Sequence, residues 1–273
     1  MFDPEALEKR MDRGPASVDL LILCYHAVSP AWDTSLSVYP ERLTAQARHL
    51  LRRGYRPKTL AQAFSEPLEG RTFVVTFDDG YRSILEHGLP ALAQLGVPAT
   101  VFMPTDLTDE GGVFEYLGPD EMPADREDVR CMSWDEARRL ADAGWEVGSH
   151  TCSHPHLPEI DDEQLERELR RSREICEEQL QRPCESIAYP YGSHDERVMK
   201  ATEDAGYRLA VTLESRLLEP INGRSLMSIP REGIFRETRL PKYLINTSRT
   251  VRRVRMADWY ERIAFGRLRS SHH

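Results

Sequence analysis

Thr76-Phe77-Asp78-Asp79-Gly80 follows the apolar run Phe73-Val74-Val75 and puts two adjacent carboxylates where a buried strand ends. Burial and mutual repulsion both work against ionised neighbours, so such a pair needs a metal or a cationic side chain beside it. The pair therefore reads as two jobs, one acid catalytic and one metal-binding, with the remaining ligands elsewhere in the chain. Taken alone it is weak, because an Asp-Asp pair is more often a turn or a helix cap than a ligand pair. The flanking sequence has to supply the rest.

Outward from this stretch, strands and helices alternate. Leu20 to Tyr25 reads as a strand buried on both faces that ends at His26. Pro40 then opens a helix at its first-turn position, with Leu43, Ala47, Leu50 and Leu51 on one face and Gly54 closing it. Further apolar strands are expected at about 72–77, 99–103, 145–149, 186–189, 207–212 and 226–230, seven in all with the first. A helix over 133–143 starts with a capping box, Ser133 with Glu136, and stops at Gly144. A longer helix over 161–181 carries Leu165, Leu169, Cys176 and Leu180 in one stripe, with Pro183 beyond its end. This alternation predicts an α/β fold with a parallel sheet, open or closed, and in a closed one catalytic residues collect at the carboxyl ends of the strands.

Composition sets the limits. A chain of 273 residues with 40% hydrophobic content suits one large core. We expect a polar lead-in over 1–18, one α/β domain over 19–238 and a basic, helical tail over 239–273. The net charge of -9 argues against nucleic-acid binding. Acids cluster between Asp109 and Asp128 among glycines and prolines, a loop composition. In the arginine-rich tail, Val251, Val254, Met256, Trp259, Ile263 and Leu268 make an apolar stripe suited to packing on the domain, with a membrane surface or an anionic partner as the alternative. No apolar run approaches the roughly 20 residues of a spanning helix and no signal sequence is visible, which predicts a cytoplasmic protein. Cys24, Cys131, Cys152, Cys176 and Cys184 form no even or closely spaced set and read as reduced thiols.

The second informative stretch is Ser149-His150-Thr151-Cys152-Ser153-His154-Pro155-His156, which follows Trp145-Glu146-Val147-Gly148. His150 and His154 with one carboxylate oxygen would complete a three-ligand set that leaves positions open for water and substrate. Such a set accepts zinc, and also cobalt, nickel, iron or manganese. A lone histidine at a strand end is usually structural. Two histidines four apart and an Asp-Asp-Gly, each after an apolar strand, are much harder to obtain by accident.

Thr76 to Gly80 together with His150 to His154 resembles the first two signature motifs of the polysaccharide deacetylase family of carbohydrate esterases. Tyr25-His26, Phe102, the run Ser133-Trp134 to Gly148, and Tyr189-Pro190-Tyr191-Gly192 fall where such sequences place them, so the resemblance covers roughly residues 20 to 232. It implies a distorted (β/α) barrel of about seven parallel strands. It further implies that Asp79, His150 and His154 hold a divalent metal, zinc first, and that Asp78 is the general base. The reaction implied is hydrolysis of an N-acetyl group on a sugar, with the Tyr191 backbone N–H helping to hold the oxyanion.

Two departures stand out. Ala188 occupies the place where the family commonly has an arginine that orients the base, and Arg231, in Ile229-Pro230-Arg231, is the candidate to supply that charge from another strand. The usual Leu-x-His motif near the end is absent, which leaves His26 and His194 as candidates for the proton donor. The same departures resemble the subgroup acting on poly-N-acetylglucosamine. The expected partner is an N-acetylated glycan, as a polysaccharide, an oligosaccharide or a lipid-linked precursor, with the acidic loop from Pro104 to Met132 and its Tyr116 along the cleft. Hydrolysis of an O-acetyl ester or a cyclic amide on the same site is one alternative. A non-catalytic glycan-binding barrel is another; the two departures favour it and the presence of Asp78 opposes it.

Overall fold

Each apolar run in the sequence is too short for a helix and most are followed by a helix that returns the chain to the same end, so the strands lie parallel. The computed structural model describes residues 19–65, 70–108, 112–113, 117, 122, 126–214 and 226–252. Strand β1 (Asp19–Tyr25) is followed by a two-stranded ladder of β2 (Ala27–Val28) and β3 (Ser37–Val38), then α1 (Pro40–Arg52), β4 (Arg56–Lys58), α2 (Leu60–Ser65) and β5 (Arg71–Phe77). The chain continues through α3 (Leu89–Ala93), β6 (Ala99–Met103), α4 (Thr105–Thr108), α5 (Trp134–Asp142), β7 (Glu146–Ser149) and α6 (Asp162–Leu180). It closes with β8 (Ser186–Ala188), α7 (Glu196–Asp204), β9 (Leu209–Val211), β10 (Glu232–Gly233) and α8 (Leu240–Asn246).

The main sheet runs β10-β1-β5-β6-β7-β8-β9, every neighbour parallel, and curls into the expected distorted barrel. β4 pairs with β5 at Thr72 to Val74, and β6 takes over the same edge from Val75. β2, β3 and β4 are two or three residues long, too short to show a period in the sequence.

The strand expected over 226–230 does not form. Ile229 makes a single parallel bridge to Val211, and only Glu232–Gly233 pairs beyond it, with Leu23 and Cys24 of β1. Pro230 between them has no N–H to give a ladder. One extended segment, 229–233, therefore touches both edge strands and spans the seam of the barrel, with Arg231 at its centre.

Residues alternate across the sheet with a period of two. Leu20, Ile22, Val74, Phe102, Val211 and Ile229 gather inside, and Leu60, Ala63 and Phe64 of α2 plug the amino-terminal end. The intervening residues, such as Leu21, Leu23, Phe73, Val75 and Phe77, pack outward in the helix-covered core. Glu146 is the polar part of the plug: it accepts from Ala61 N–H at 2.8 Å, Thr100 Oγ1 at 2.9 Å and Ser186 Oγ at 2.6 Å. Burial pushes its pKa up, and these hydrogen bonds oppose that rise.

The helices follow their caps. The Ser133–Glu136 capping box starts α5, and Asp161 caps α6 by accepting from Gln164 N–H, so α6 is one residue shorter at each end than expected. All five cysteines are free and buried. At the start of the tail, Tyr243 of α8 is buried and donates to Gln46 O at 3.4 Å. Arg252 then donates to Asp19 at 2.6 Å and to Leu20 O at 3.1 Å. The lead-in 1–18, and the tail from 253 with its stripe from Val254 to Leu268 and its proposed membrane or anionic contact, lie outside the described residues. Among the described residues no helix is long and apolar enough to cross a membrane.

Gly148 marks how tightly the barrel is filled. A Cβ there would lie 2.6 Å from Ser186 Oγ and 2.8 Å from the Phe102 ring. Gly148→Ala should therefore lower folding stability by about 1–3 kcal/mol, read from the midpoint of urea denaturation. An unchanged midpoint would show that this wall yields.

Candidate active site

The carboxyl ends of the strands supply the site. β5 runs into Asp78 and Asp79, β7 into His150, β8 into the Tyr189–Gly192 turn, β1 into His26, and the seam brings Arg231.

Asp79 Oδ1 lies 3.4 Å from His150 Nε2 and 3.4 Å from His154 Nε2, with all three residues buried. His150 Nδ1 is 2.8 Å from Ala188 O; a carbonyl only accepts, so Nδ1 carries the proton and Nε2 presents its lone pair to Asp79. The 3.4 Å spacings are longer than a charge-assisted hydrogen bond. They suit donors flanking one ion, since two ligands each about 2.1 Å from a tetrahedral metal stand about 3.4 Å apart. The donor set thus fits a divalent cation.

The backbone is strained where it presents these ligands. Asp79 (φ 66°), Thr151 (φ 68°), His154 (φ 62°) and Tyr191 (φ 59°) are four of the five left-handed non-glycine residues among those described. Each such conformation costs on the order of 1 kcal/mol and persists only where the surroundings enforce it. Gly80 also has a positive φ, and a Cβ there would lie 2.7 Å from Met103 Sδ. In the histidine loop the enforcing groups are Thr151 Oγ1, which accepts from His154 N–H at 3.1 Å, and Glu168. Buried on α6, Glu168 accepts from Cys152 N–H at 2.8 Å, Ser153 N–H at 2.9 Å and Ser153 Oγ at 2.7 Å. Sequence reasoning missed Glu168. Its signal was a charged residue directly before Leu169 on the buried stripe of the helix.

Asp78 faces a different partner. Arg231 Nη1 donates to its Oδ1 and Nη2 to its Oδ2, both at 2.7 Å, and Asp78 N–H donates to Tyr25 O at 3.0 Å. The guanidinium is anchored in turn by Thr212 O and Thr76 Oγ1, each at 2.9 Å, and lies over the Phe102 ring at 5.6 Å. Arg231 thus reaches from the seam to the carboxylate that an arginine at Ala188 would have met. Cys24, read from sequence only as a reduced thiol, has its Sγ 3.3 Å from Asp78 Oδ2.

Charge then separates the two acids. Burial pushes Asp78 upward, but the charge and hydrogen bonds of Arg231, with His150 and His26 behind them, hold it at about 2. Burial also raises Asp79, and the adjoining His150 and His154 outweigh it, leaving this carboxyl well below its ordinary range. The histidines part company. Burial lowers both, yet the Asp79 carboxylate beside it leaves His150 raised, whereas His154, repelled by His150, stays lowered.

The other candidates are placed as follows. One atom each of His26, Cys24 and Asp78 lie within 4.8 Å of one another, and the His26 ring stacks with Phe235 at 6.2 Å. The half-exposed Tyr191 ring stacks on His156 at 3.9 Å and meets His154 edge-on at 4.7 Å. His194 has both ring nitrogens engaged, Nδ1 with Gly192 O at 2.9 Å and Nε2 with Ser228 Oγ at 3.2 Å, which suits a structural role. Of the acidic loop, Tyr116 and most of the acids lie outside the described residues. Its far end is tied to the site by a bridge between Tyr81 and Cys131.

The family model for polysaccharide deacetylase matches residues 65–210. YxkH of Bacillus subtilis, a polysaccharide deacetylase by inference, is 28% identical over 201 residues, which cover 71% of this chain and 64% of that protein. The poly-beta-1,6-N-acetyl-D-glucosamine N-deacetylase of Staphylococcus aureus is 23% identical over 159 residues, or 55% of this chain and 50% of that one. The chain thus matches between half and two thirds of the length of these relatives. Among solved structures, a polysaccharide deacetylase from Bacillus cereus superposes with a TM-score of 0.71 at 25% identity, over 85% of this chain and 70% of that one. IcaB from Ammonifex degensii shares the fold, with a TM-score of 0.68 at 22% identity over 85% and 98% of the two chains.

The part given to Glu168 is open to test. Glu168→Ala should release the strained histidine loop and weaken metal binding about 10- to 100-fold, as loss of a supporting partner does at metal sites. Titration with zinc against a competing chelator reads this directly; unchanged affinity would mean the loop holds itself.

Proposed function

The chain belongs to the polysaccharide deacetylase family, and from that premise we propose that it is a metal-dependent hydrolase removing N-acetyl groups from an N-acetylated glycan. The observation that carries this reading is the pairing of two unlike carboxylates. Asp79 converges with two imidazole nitrogens, and Asp78, beside it, is held at both oxygens by Arg231. When bound there, a divalent metal, zinc first and cobalt, nickel, iron or manganese as alternatives, acidifies a water and polarises the acetamide carbonyl.

The chain's own groups do the rest. Asp79, His150 and His154 would hold the metal. Asp78 takes the proton of the attacking water. Arg231 keeps its carboxylate ionised and in one plane, and it also makes Asp78 a weak base that gives its proton up readily. The backbone N–H of Tyr191, in its left-handed turn, would help to hold the developing oxyanion. His26, beside Asp78 and steadied by the Phe235 ring, protonates the departing amine. The resemblance to the staphylococcal enzyme supports poly-N-acetylglucosamine or its oligomers as the substrate class. A free carboxylate beside the ligand set opposes a purely glycan-binding barrel, which needs no general base.

Incubation with β-1,6-linked N-acetylglucosamine oligomers, followed by mass spectrometry for acetate and free amine, tests the reading. Chelation should abolish release and added zinc should restore it; release that survives chelation would refute metal dependence. Asp78→Asn should lower kcat by about a hundredfold or more while zinc still binds. Arg231→Lys, which keeps the charge and loses the fork, should lower kcat by about tenfold with zinc affinity unchanged. Full activity in either variant would remove that residue from the mechanism.

A further inference from the structure

The mechanism leaves Cys24 without a task, although this thiol touches the base. Cys24 is wholly buried, and its position on β1 turns it inward beside Thr76 and Gly233. Its Sγ lies 3.3 Å from Asp78 Oδ2 and 3.7 Å from Tyr25 O, so the charged acceptor is also the nearer one. Burial first, and Asp78 beside it, push the thiol's pKa well above its ordinary value although Arg231 opposes them. The sulfur therefore carries its hydrogen and can donate it.

Cys24, His26 and Asp78 do lie within 4.8 Å of one another, as metal ligands would. A cation among them would face the Arg231 guanidinium across the same carboxylate, and repulsion between the two charges makes this a poor metal site. The cluster points to hydrogen bonding instead.

An ionised carboxylate has about four lone-pair positions, two on each oxygen. Oδ1 of Asp78 receives Arg231 Nη1, while Oδ2 receives both Nη2 and the Cys24 thiol. Among the described contacts Oδ2 is filled and Oδ1 keeps one position open. We infer that Cys24 is a positioning residue for the hydrolysis: by occupying the second position on Oδ2 it directs the proton exchange of Asp78 through Oδ1. This rests on the hydrolase reading above.

The experiment compares Cys24→Ala, Cys24→Val and Cys24→Ser in the zinc-loaded protein on β-1,6-linked N-acetylglucosamine oligomers. Alanine and valine bracket the volume of the thiol without a donor, and each should lower kcat about fivefold with KM unchanged. Serine restores a donor and should return kcat to within about twofold of wild type. Wild-type kcat in the alanine and valine variants overturns the inference, as does an equal loss in all three, which would show that the sulfur only fills space. A second measurement does not depend on turnover. The S–H stretching band of Cys24, isolated as the infrared difference between wild type and Cys24→Ala, should move to higher frequency in Asp78→Asn, and a band unmoved by that change overturns the hydrogen bond itself. Wild-type protein that releases no acetate sinks the hydrolase reading, whereas active wild type with silent Cys24 variants sinks this inference alone.

Discussion

The buried ion pair between Arg231 and Asp78 is the contact on which the rest depends. It joins β5 to the segment that spans the barrel seam, and its two 2.7 Å bonds run between two buried side chains. Removing one partner of such a pair leaves an uncompensated charge and typically costs about 3–5 kcal/mol. The seam itself has little backbone pairing, one bridge at Ile229 and two residues of β10. Side-chain bonding by Arg231, to Thr212 O, Thr76 and Asp78, therefore takes over where Pro230 interrupts the ladder. The closure of the barrel and the orientation of Asp78 share one side chain.

Two adjacent aspartates in one motif end up in different electrostatic worlds because the chain turns between them. Asp78 continues the inward alternation of β5, and Asp79, in a left-handed conformation, swings to the histidines. The same device recurs at Thr151, His154 and Tyr191. A regular strand end would point alternate residues to opposite faces, so gathering ligands from consecutive positions needs backbone that ordinary residues resist. Glu168 and the Thr151 hydroxyl hold the histidine loop in that shape.

Much of the site could be read from the sequence because the signals are local. The spacing of His150 and His154, the position of Asp78-Asp79-Gly80 after an apolar run, and the capping box at Ser133 each involve residues only a few positions apart. Glu168 and Cys24 escaped because their meaning depends on residues distant in sequence. Glu168 acts on a loop some 15 residues earlier, and Cys24 meets Asp78 54 residues later. The strand expected at 226–230 failed for a similar reason. Its apolar composition suits a strand, but whether it pairs depends on which edges the curled sheet leaves open and on where Pro230 falls.

By itself, then, the sequence determined the alternation of strands and helices, the parallel sheet that follows from it, and the residue types of the candidate site at the strand ends. Period, caps and short motifs are properties of neighbouring residues, and neighbours are what a sequence displays. Only the tertiary structure decided that Arg231 reaches both oxygens of Asp78 from the seam, that Ala188 O fixes the tautomer of His150, and that Cys24 meets one oxygen of Asp78. Those contacts arise where separate strands converge inside the barrel, and burial there gives each hydrogen bond and charge its weight.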